Sequence, residues 1–229
     1  STGHPLLRRE IASLYDTIDP DEVLTFAGAE EAIFCLVNVL VGEGDHVIST
    51  WPGYQSLYEV ARATGASVTL HKLREADGWA LDLDRLRRQV TPATRLIVVN
   101  APHNPTGMLP DRAAFDGLVA IAADAGAHLL LDEVYRGLEF DPSTQLPAGA
   151  DALPTGISFG VMSKSFALAG LSLMGLPPAG GFIAKLMLLT ASVETANWGI
   201  AATILAGGIL AATYVFRVVG IALAEPPAG

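Results

Sequence analysis

Apolar residues in the first 171 positions follow two alternating periods. Spacings of three and four place side chains on one face of a helix, and short unbroken apolar runs between turn residues are typical of buried strands. The first period predicts helices over 6–18, 27–41, 56–64, 82–90 and 111–125. The second period predicts strands over 23–26, 46–49, 67–73, 95–100, 128–132 and 157–162.

This alternation predicts an α/β fold with a wound, mostly parallel sheet. The runs at 95–100 and 128–132 are almost wholly apolar, as in strands that are buried on both faces. Ligands of such sheets bind outside the carboxyl ends of the strands. We therefore expect functional residues directly after the predicted strand ends, which are Phe26, Ser49, Asn100, Asp132 and Met162.

Charge divides the chain near Leu171. Of the 229 residues 51% are hydrophobic, and the mean hydropathy of +0.41 is high for a soluble protein. The charged residues after Leu171 are Lys185, Glu194, Arg217 and Glu225 alone. The net charge of −10 therefore belongs to residues 1–171, which argues against nucleic acid or anionic lipid as a partner of that part.

The cysteine content and the first residues indicate the setting of the protein. Cys35 is the single cysteine, so an internal disulfide is excluded and a reducing compartment is the simplest interpretation. We expect residues 1–171 to be cytoplasmic and to hold no metal ion. The sequence starts at Ser1 without an initiator methionine or a signal peptide, so we expect it to begin within a longer chain.

The turn Gly28-Ala29-Glu30 joins a predicted strand to a predicted helix. Free backbone N–H groups and the positive end of the helix dipole at such a turn suit a phosphate group. The small residues Gly28 and Ala29 would let the anion approach closely. An ordinary strand-to-helix turn is the alternative, and this motif by itself favours that alternative.

Asn104 lies in a stiff loop after the strand at 95–100. Two prolines and a glycine in the segment 100–107 (NAPHNPTG) exclude a helix there. The amide of Asn104 could donate a hydrogen bond to a phenolate oxygen. A structural turn is the alternative.

Asp132 ends an apolar strand, where a buried carboxylate is costly unless it meets a cation. A pyridinium nitrogen is such a cation, and the pair would keep the ring protonated as an electron sink. Tyr135 could donate its hydroxyl to the oxygen of the same ring, and Tyr54 could stack on the ring face. The alternatives are an aspartate that caps the next segment and a tyrosine in a surface turn.

Lys164 follows the predicted strand at 157–162. A lysine held in a desolvated pocket loses proton affinity and becomes an amine nucleophile that can form an imine. A lone lysine after a strand is usually a solvated loop residue. Residues Tyr54, Asn104, Asp132 and Tyr135 strengthen the first interpretation, because they are of the types that would hold a pyridoxal ring.

Five segments in this order and spacing resemble the class I/II aminotransferases of fold type I, which use pyridoxal 5′-phosphate. They are 26–32 (FAGAEEA), 52–54 (PGY), 103–107 (HNPTG), 132–137 (DEVYRG) and 163–166 (SKSF), the last continuing to Gly170 and Leu171. The resemblance covers residues 1–171. It implies a homodimer that transfers an amino group between a small-molecule amino acid and a 2-keto acid.

The same resemblance assigns roles to single residues. Lys164 would form the internal aldimine and shuttle the proton, Asp132 would pair with the pyridine nitrogen, and Tyr135 would bind the ring oxygen. Catalysis is thereby assigned to these three side chains. The further residues implied in cofactor binding are Asn104 at the ring oxygen, Tyr54 on the ring face, the amides of Gly28, Ala29 and Glu30 at the phosphate, and Ser163.

Three features depart from the family. Val161 stands where many members carry a serine or threonine that binds phosphate, and Ser172 stands where an arginine usually clamps it. The smaller domain with its substrate-binding arginine has no counterpart after Leu171, and the N-terminal arm is missing. These departures predict an incomplete large domain with impaired activity.

The segment after Leu171 has a different character. Residues 198–216 carry no charge over about 19 positions, close to the ~20 that span a bilayer. A buried core helix is the alternative. The segments 175–178 (GLPP), 181–182 (GF) and 211–217 (AATYVFR) resemble part of the proton-conducting antiporter subunits of complex I and Mrp-type antiporters.

Lys185 matches the intramembrane proton-path lysine of those subunits, which makes it a candidate proton site. The resemblance implies membrane contact through residues 182–224. We thus expect two domains, a partial aminotransferase large domain at 1–171 and an apolar helical segment at 172–229. Their junction would come from a fused or misassembled reading frame.

Two alternatives to amino-group transfer remain open. One is another pyridoxal-phosphate reaction on the same fold, by a lyase, decarboxylase or cyclase. The other is an inactive chimera with a membrane antiporter fragment.

Overall fold

The computed structural model describes residues 2–166 and Thr190. Two compact units divide the chain, Ser1–Val161 and Met162–Gly229. The strands of the first unit are His46–Trp51 (β1), Ser67–Lys72 (β2), Thr94–Asn100 (β3), His128–Asp132 (β4) and Gly156–Phe159 (β5). Its α-helices are Pro5–Ala12 (α1), Ala29–Leu40 (α2), Ser56–Ala63 (α3), Leu83–Gln89 (α4), Arg112–Ala125 (α5) and Gly149–Ala152 (α6).

The five strands form one sheet in the order β2-β1-β3-β4-β5. All four neighbouring pairs are parallel, which confirms the predicted mostly parallel α/β sheet. Asn100 at the end of β3 pairs with Asp132, and Asp132 pairs with Phe159 at the end of β5. The carboxyl ends of three adjacent strands therefore lie side by side.

Helices cover both faces of the sheet. Successive strand residues point to opposite sides, so neighbours in one strand pack against different helices. Ile97 packs in a cluster with Phe115 of α5 on one face. Its neighbour Val98 packs with Ile33 of α2 and Leu57 of α3 on the other. The continuous apolar runs of β3 and β4 follow from this double burial.

Side-chain caps fix the start of two helices. Asp82 accepts a hydrogen bond from the backbone N–H of Arg85 at 2.8 Å, and Asp111 accepts one from Ala114 at 2.7 Å. Each carboxylate satisfies a backbone donor that the first turn of a helix leaves without a partner. The predicted N-cap at Asp111 is confirmed.

The N-terminal elements differ from the prediction. Residues 23–26 form no strand, so Phe26 is not a strand end. The helix predicted over 6–18 stops at Ala12. The segment after this helix is bound by Asp151, whose carboxylate accepts hydrogen bonds from the backbone N–H groups of Asp16 and Thr17.

The last predicted strand is also shorter than expected. β5 ends at Phe159 and is half-buried, whereas the apolar run predicted a buried strand to Met162. Phe159 pairs with Asp132, the last residue of β4, and its carbonyl accepts one further bond from the N–H of Glu133 at 2.8 Å. Among the described residues, the pairing of β5 with β4 thus ends at Phe159.

Several predictions concern residues outside the described part. These are the charge-free segment 198–216, the membrane contact through 182–224, the candidate proton site Lys185, the serine at position 172 and the junction after Leu171. Among the residues that the structure does describe, no helix has the length and apolarity needed to cross a membrane.

Gly156 is expected to tolerate no side chain. A Cβ built there would lie 1.9 Å from the carbonyl oxygen of Gly149 and 2.8 Å from that of Leu153, both backbone atoms. Gly156→Ala should lower the free energy of unfolding by about 3 kcal/mol, measured by urea denaturation, because α6 would have to move away from β5.

Gly42→Ala is the matched control, because a Cβ at that position meets nothing within 4 Å. It should change the free energy of unfolding by less than about 1 kcal/mol. Equal losses in the two variants would contradict the packing described for β5 and α6.

Candidate cofactor site

The candidate site lies at the carboxyl edge of the sheet. The strands β1, β3 and β4 are neighbours. The loops that follow them carry Tyr54, Asn104 and Tyr135 in turn. Parallel strands deliver such loops to one edge, so the topology brings together side chains that are far apart in sequence.

Asp132 is a buried carboxylate with little support. The residue is 3% exposed, and its Oδ1 accepts one long hydrogen bond of 3.4 Å from the N–H of Val134. Burial raises the pKa of Asp132 to about 6, and the Val134 N–H lowers it to a smaller extent. Within the described residues no ion pair involves Asp132. A cation placed against it would relieve the cost of desolvation.

Asn100 braces the edge of the sheet around Asp132. Its Nδ2 donates a 2.8 Å hydrogen bond to the backbone carbonyl of Asp132. Its Oδ1 accepts a 2.6 Å bond from the backbone N–H of Asn104. One buried amide thus fixes both the end of β4 and the loop that carries Asn104. This role of Asn100 was not predicted from the sequence, although a polar amide that ends an apolar strand was the available signal.

Glu133 fastens the end of β4 to its other neighbours. This residue is 6% exposed, and its Oε1 accepts hydrogen bonds from the N–H of Gly149 at 2.7 Å and from the hydroxyl of Ser158 at 3.0 Å. Burial raises the pKa of Glu133 to about 7, which outweighs the opposing effect of these donors. The position was also missed, because a glutamate beside a functional aspartate gives no sequence signal of its own.

The turn before α2 is suited to an anion. Gly28 is the N-cap residue and makes no side-chain hydrogen bond, so no side chain covers the N–H groups of the first turn from that position. A Cβ at Gly28 would meet nothing within 4 Å, so the space beside the turn is open. Two carboxylates, of Glu30 and Glu31, share this positive end of the helix.

Glu30 connects this turn to Tyr54. Its Oε1 accepts hydrogen bonds from the hydroxyl of Tyr54 and, at 2.9 Å, from that of Ser56. The bond to Glu30 is the main cause that raises the pKa of Tyr54, followed by burial and by the charge of Glu30, while Ser56 lowers it. The charge of Asp132 adds to the rise. Hydrogen bonds therefore tie the first turn of α2 to the loop that carries Tyr54.

Comparison with known proteins identifies the family. Residues 1–173 match the family "Aminotransferase class I and II". The chain is 42% identical over 138 residues to the Mycobacterium tuberculosis protein named "Probable N-succinyldiaminopimelate aminotransferase DapC", an alignment that covers 59% of this chain and 35% of that protein. It is 37% identical over 171 residues to the capreomycidine synthase of Streptomyces vinaceus, with 75% and 44% covered.

A solved structure agrees with these matches. The PLP-dependent aminotransferase of Streptococcus suis superposes with a TM-score of 0.69 at 36% identity, over 74% of this chain and 45% of that one. The chain belongs to the class I and II aminotransferase family. It spans less than half the length of these relatives. Members of the family depend on pyridoxal 5′-phosphate.

Seven of the predicted site residues lie in the first unit of this aminotransferase chain. They are Gly28, Ala29, Glu30, Tyr54, Asn104, Asp132 and Tyr135. Tyr135 is half-buried, whereas Tyr54 is 41% exposed and Asn104 is exposed. Hydrogen bonds join Glu30 to Tyr54 and place the backbone of Asn104 against Asn100, but the described contacts include none that joins Tyr135 or the Asn104 side chain to these groups.

Ser163 and Lys164 lie in the second unit, on a five-residue π-helical turn, Met162–Phe166. Both residues are exposed. The desolvation expected of Lys164 in a cofactor pocket stays a prediction.

The residues of the first unit fit the cofactor on which the family depends. Asp132 offers a desolvated carboxylate to a ring cation, and the first amides of α2 offer donors to a phosphate. Tyr54 offers an aromatic face, and Asn104 lies on the neighbouring loop. Val161, which replaces a phosphate ligand of the family, is half-buried and offers no hydrogen-bond donor in its side chain.

Removal of the Asp132 charge should stabilise the cofactor-free chain at alkaline pH. The pKa of Asp132 is about 6 in the folded chain against 3.8 when unperturbed. A raised pKa means that stability is fully present below pH 3.8 and is lost as the pH rises through 6. Asp132→Asn should therefore raise the free energy of unfolding at pH 8 by about 2–3 kcal/mol, and by almost nothing at pH 4.

Urea denaturation of both proteins at pH 4 and pH 8 tests this expectation. Asp116→Asn is the control, because Asp116 forms an exposed ion pair with Arg112 within α5 and should contribute less than about 0.5 kcal/mol at either pH. A stability gain for Asp132→Asn that is the same at both pH values would contradict the desolvation of Asp132.

Proposed function

We propose that this chain binds pyridoxal 5′-phosphate and takes part in amino-group transfer between an amino acid and a 2-keto acid. The observation that carries the proposal is the Asp132 carboxylate, which is buried at a strand end without an ion pair among the described residues. Membership of the aminotransferase family supports it. Because the chain spans less than half of its relatives, the activity of a whole enzyme is part of the proposal.

Each side chain of the site has a role in the proposed function. Asp132 holds a proton on the ring nitrogen, because a carboxylate in a desolvated site favours a cationic partner. Asn104 and Tyr135 donate hydrogen bonds to the ring oxygen, and Tyr54 covers one face of the ring. The amides of Gly28, Ala29 and Glu30 hold the phosphate, and Ser163 adds a hydroxyl.

Lys164 is the proposed catalytic amine. Bound pyridoxal phosphate supplies an electron sink for the bonds of the substrate α-carbon. Lys164 would give and take the proton at that carbon, a role for which an amine of adjustable pKa is suited. Four residues of chain lie between Lys164 and Phe159, whose strand pairs with Asp132. This short connection supports the assignment.

Cofactor attachment tests the role of Lys164. The full chain incubated with pyridoxal phosphate and then reduced with borohydride should carry one phosphopyridoxyl group, which peptide mass spectrometry should locate on Lys164. Lys164→Ala should lose this label completely, because no other amine is proposed to reach the ring aldehyde. Lys72→Ala should keep it, since Lys72 is an exposed residue of β2 beside Trp51. A label on Lys72, or none, would overturn the assignment.

A second reaction class is favoured by one relative. The protein from Streptomyces vinaceus is named a synthase and not a transaminase, and it covers 75% of this chain at 37% identity. The alternative proposal is therefore another pyridoxal-phosphate reaction, by a lyase, decarboxylase or cyclase, on the same fold. Direct measurement of keto acid formed from a labelled amino acid separates the two, because only amino-group transfer releases it together with an aminated acceptor.

We also propose that the folded chain forms a homodimer. Large apolar side chains of the first unit are exposed, and they include Phe34 at 60% and Val39 at 83% on α2. Exposed apolar residues that cluster on an element are typical of a contact surface. Sedimentation velocity would show a monomer at micromolar concentration if this part of the proposal were wrong.

A separate proposal concerns residues 172–229. We infer that they form an apolar membrane segment of antiporter type, in which Lys185 is a proton site, joined to the aminotransferase part near Leu171. The family match that ends at residue 173 and the near absence of charge beyond it support this. Full-length chain that stays in the aqueous phase during detergent phase partitioning would reject the membrane segment. A continuous amplification product across the junction in independent DNA samples would reject an artefactual fusion.

A further inference from the structure

His103 is a buried histidine between two loops of the candidate site, and the proposed function gives it no role. It is 3% exposed. Its own loop is closed by two backbone bonds, from His103 N–H to the Met108 carbonyl at 2.9 Å and from Gly107 N–H to the His103 carbonyl at 2.8 Å. Asn104 is the next residue, and its backbone N–H binds Asn100 Oδ1, so His103 lies directly beside the site.

Thr106 fixes one side of the imidazole ring. The distance from His103 Nδ1 to Thr106 Oγ1 is 2.8 Å. Thr106 Oγ1 also accepts the backbone N–H of Met108 at 3.2 Å, so its own proton is available for Nδ1. In the tautomer that carries its proton on Nε2, the ring is neutral and Nδ1 accepts this hydroxyl proton.

The other side of the ring faces the loop that carries Tyr54. A Cβ built on Gly53 would lie 3.9 Å from His103 Nε2 and 3.0 Å from the Thr50 carbonyl oxygen, so the Gly53 backbone passes close to the ring. Nε2 is buried and makes no well-aligned hydrogen bond to the described residues. Burial lowers the pKa of His103, and the backbone carbonyl of Pro52 raises it, which places that acceptor beside the ring.

We propose that His103 is a positioning residue that spans the loops after β1 and β3 and holds Tyr54 and Asn104 in one arrangement for the cofactor ring. Thr106 anchors the Nδ1 side within the Asn104 loop. The Nε2–H group rests against Pro52 and Gly53, directly before Tyr54. The inference rests on the proposed function, because it concerns the same pyridoxal-phosphate site.

Four variants of the full chain test the inference. His103→Ala removes both contacts, His103→Asn keeps a polar atom near the Nδ1 position, and His103→Gln keeps one near Nε2. His71→Ala is the matched control. His71 is equally buried, at 1% exposure, but its Nδ1 binds Gln89 Oε1 at 2.7 Å and joins β2 to α4.

The readouts are the dissociation constant of pyridoxal phosphate and the urea midpoint of the cofactor-free chain. His103→Ala should weaken cofactor binding by ~10-fold, equivalent to ~1.4 kcal/mol. His71→Ala should lower the urea midpoint about as much as His103→Ala does. It should change cofactor binding less than about twofold, because the contacts of His71 lie between β2 and α4. His103→Asn and His103→Gln should each recover part of the cofactor binding. They keep the test decisive even if His103→Ala does not fold.

A double-mutant cycle separates positioning from general destabilisation. If His103 acts through Tyr54, the effect of His103→Ala on cofactor binding should fall below about threefold in a Tyr54→Ala background. The inference is overturned if the two effects multiply without coupling, or if His103→Ala and His71→Ala weaken binding equally. Wild-type chain that binds no pyridoxal phosphate would overturn the proposed function, and this inference with it. If the wild-type chain binds pyridoxal phosphate and all His103 variants bind it with the same affinity, the inference alone is overturned.

Discussion

The cost of keeping the Asp132 carboxylate out of water is the constraint on which the site depends. The residue follows three leucines of β4 that pack into the apolar clusters on both faces of the sheet. Burial dominates its electrostatics, since a single long bond from the Val134 N–H does not compensate for the lost hydration. No ion pair among the described residues offsets this charge, and a ring cation would do so.

The chain holds this unfavourable group in place with contacts on each side. Asn100 binds the carbonyl of Asp132 from β3, and Glu133 binds Ser158 and Gly149 beyond β4. These are short bonds between buried partners, in contrast to the exposed ion pairs of the helices. The rigidity of the edge thus comes from side chains next to the predicted site residues. A carboxylate in a fixed position can bind a cation without the entropy cost of ordering first.

Much of this architecture could be predicted from the sequence, because the evidence was local. The apolar runs of β3 and β4 and the cap at Asp111 are patterns within a few residues, and the structure has them where the patterns predicted. The absent strand at 23–26 shows the limit, since a short apolar run forms a strand only if a neighbour pairs with it.

Contacts between distant segments could not be predicted in this way. Asp151 binds the backbone of Asp16 and Thr17 just after the first helix, and this contact joins positions about 135 residues apart. The neighbourhood of His103 and Gly53 depends on the order β1-β3 in the sheet, which periodicity does not reveal. The end of β5 at Phe159, short of the predicted Met162, has a related cause, because strand length is set by the partner strand and not by hydrophobicity alone.

The adjacent acids Asp132 and Glu133 have a calorimetric consequence. Both carboxyl groups hold their protons to a higher pH in the folded chain than in free solution, with pKa values of about 6 and about 7. Near neutrality the polypeptide must draw hydrogen ions from the buffer when it folds. Below pH 6, where Asp132 is mostly protonated in the folded chain, a cationic ligand that restores its ionisation would release that proton, so the apparent heat of loading would vary with the ionisation enthalpy of the buffer chosen.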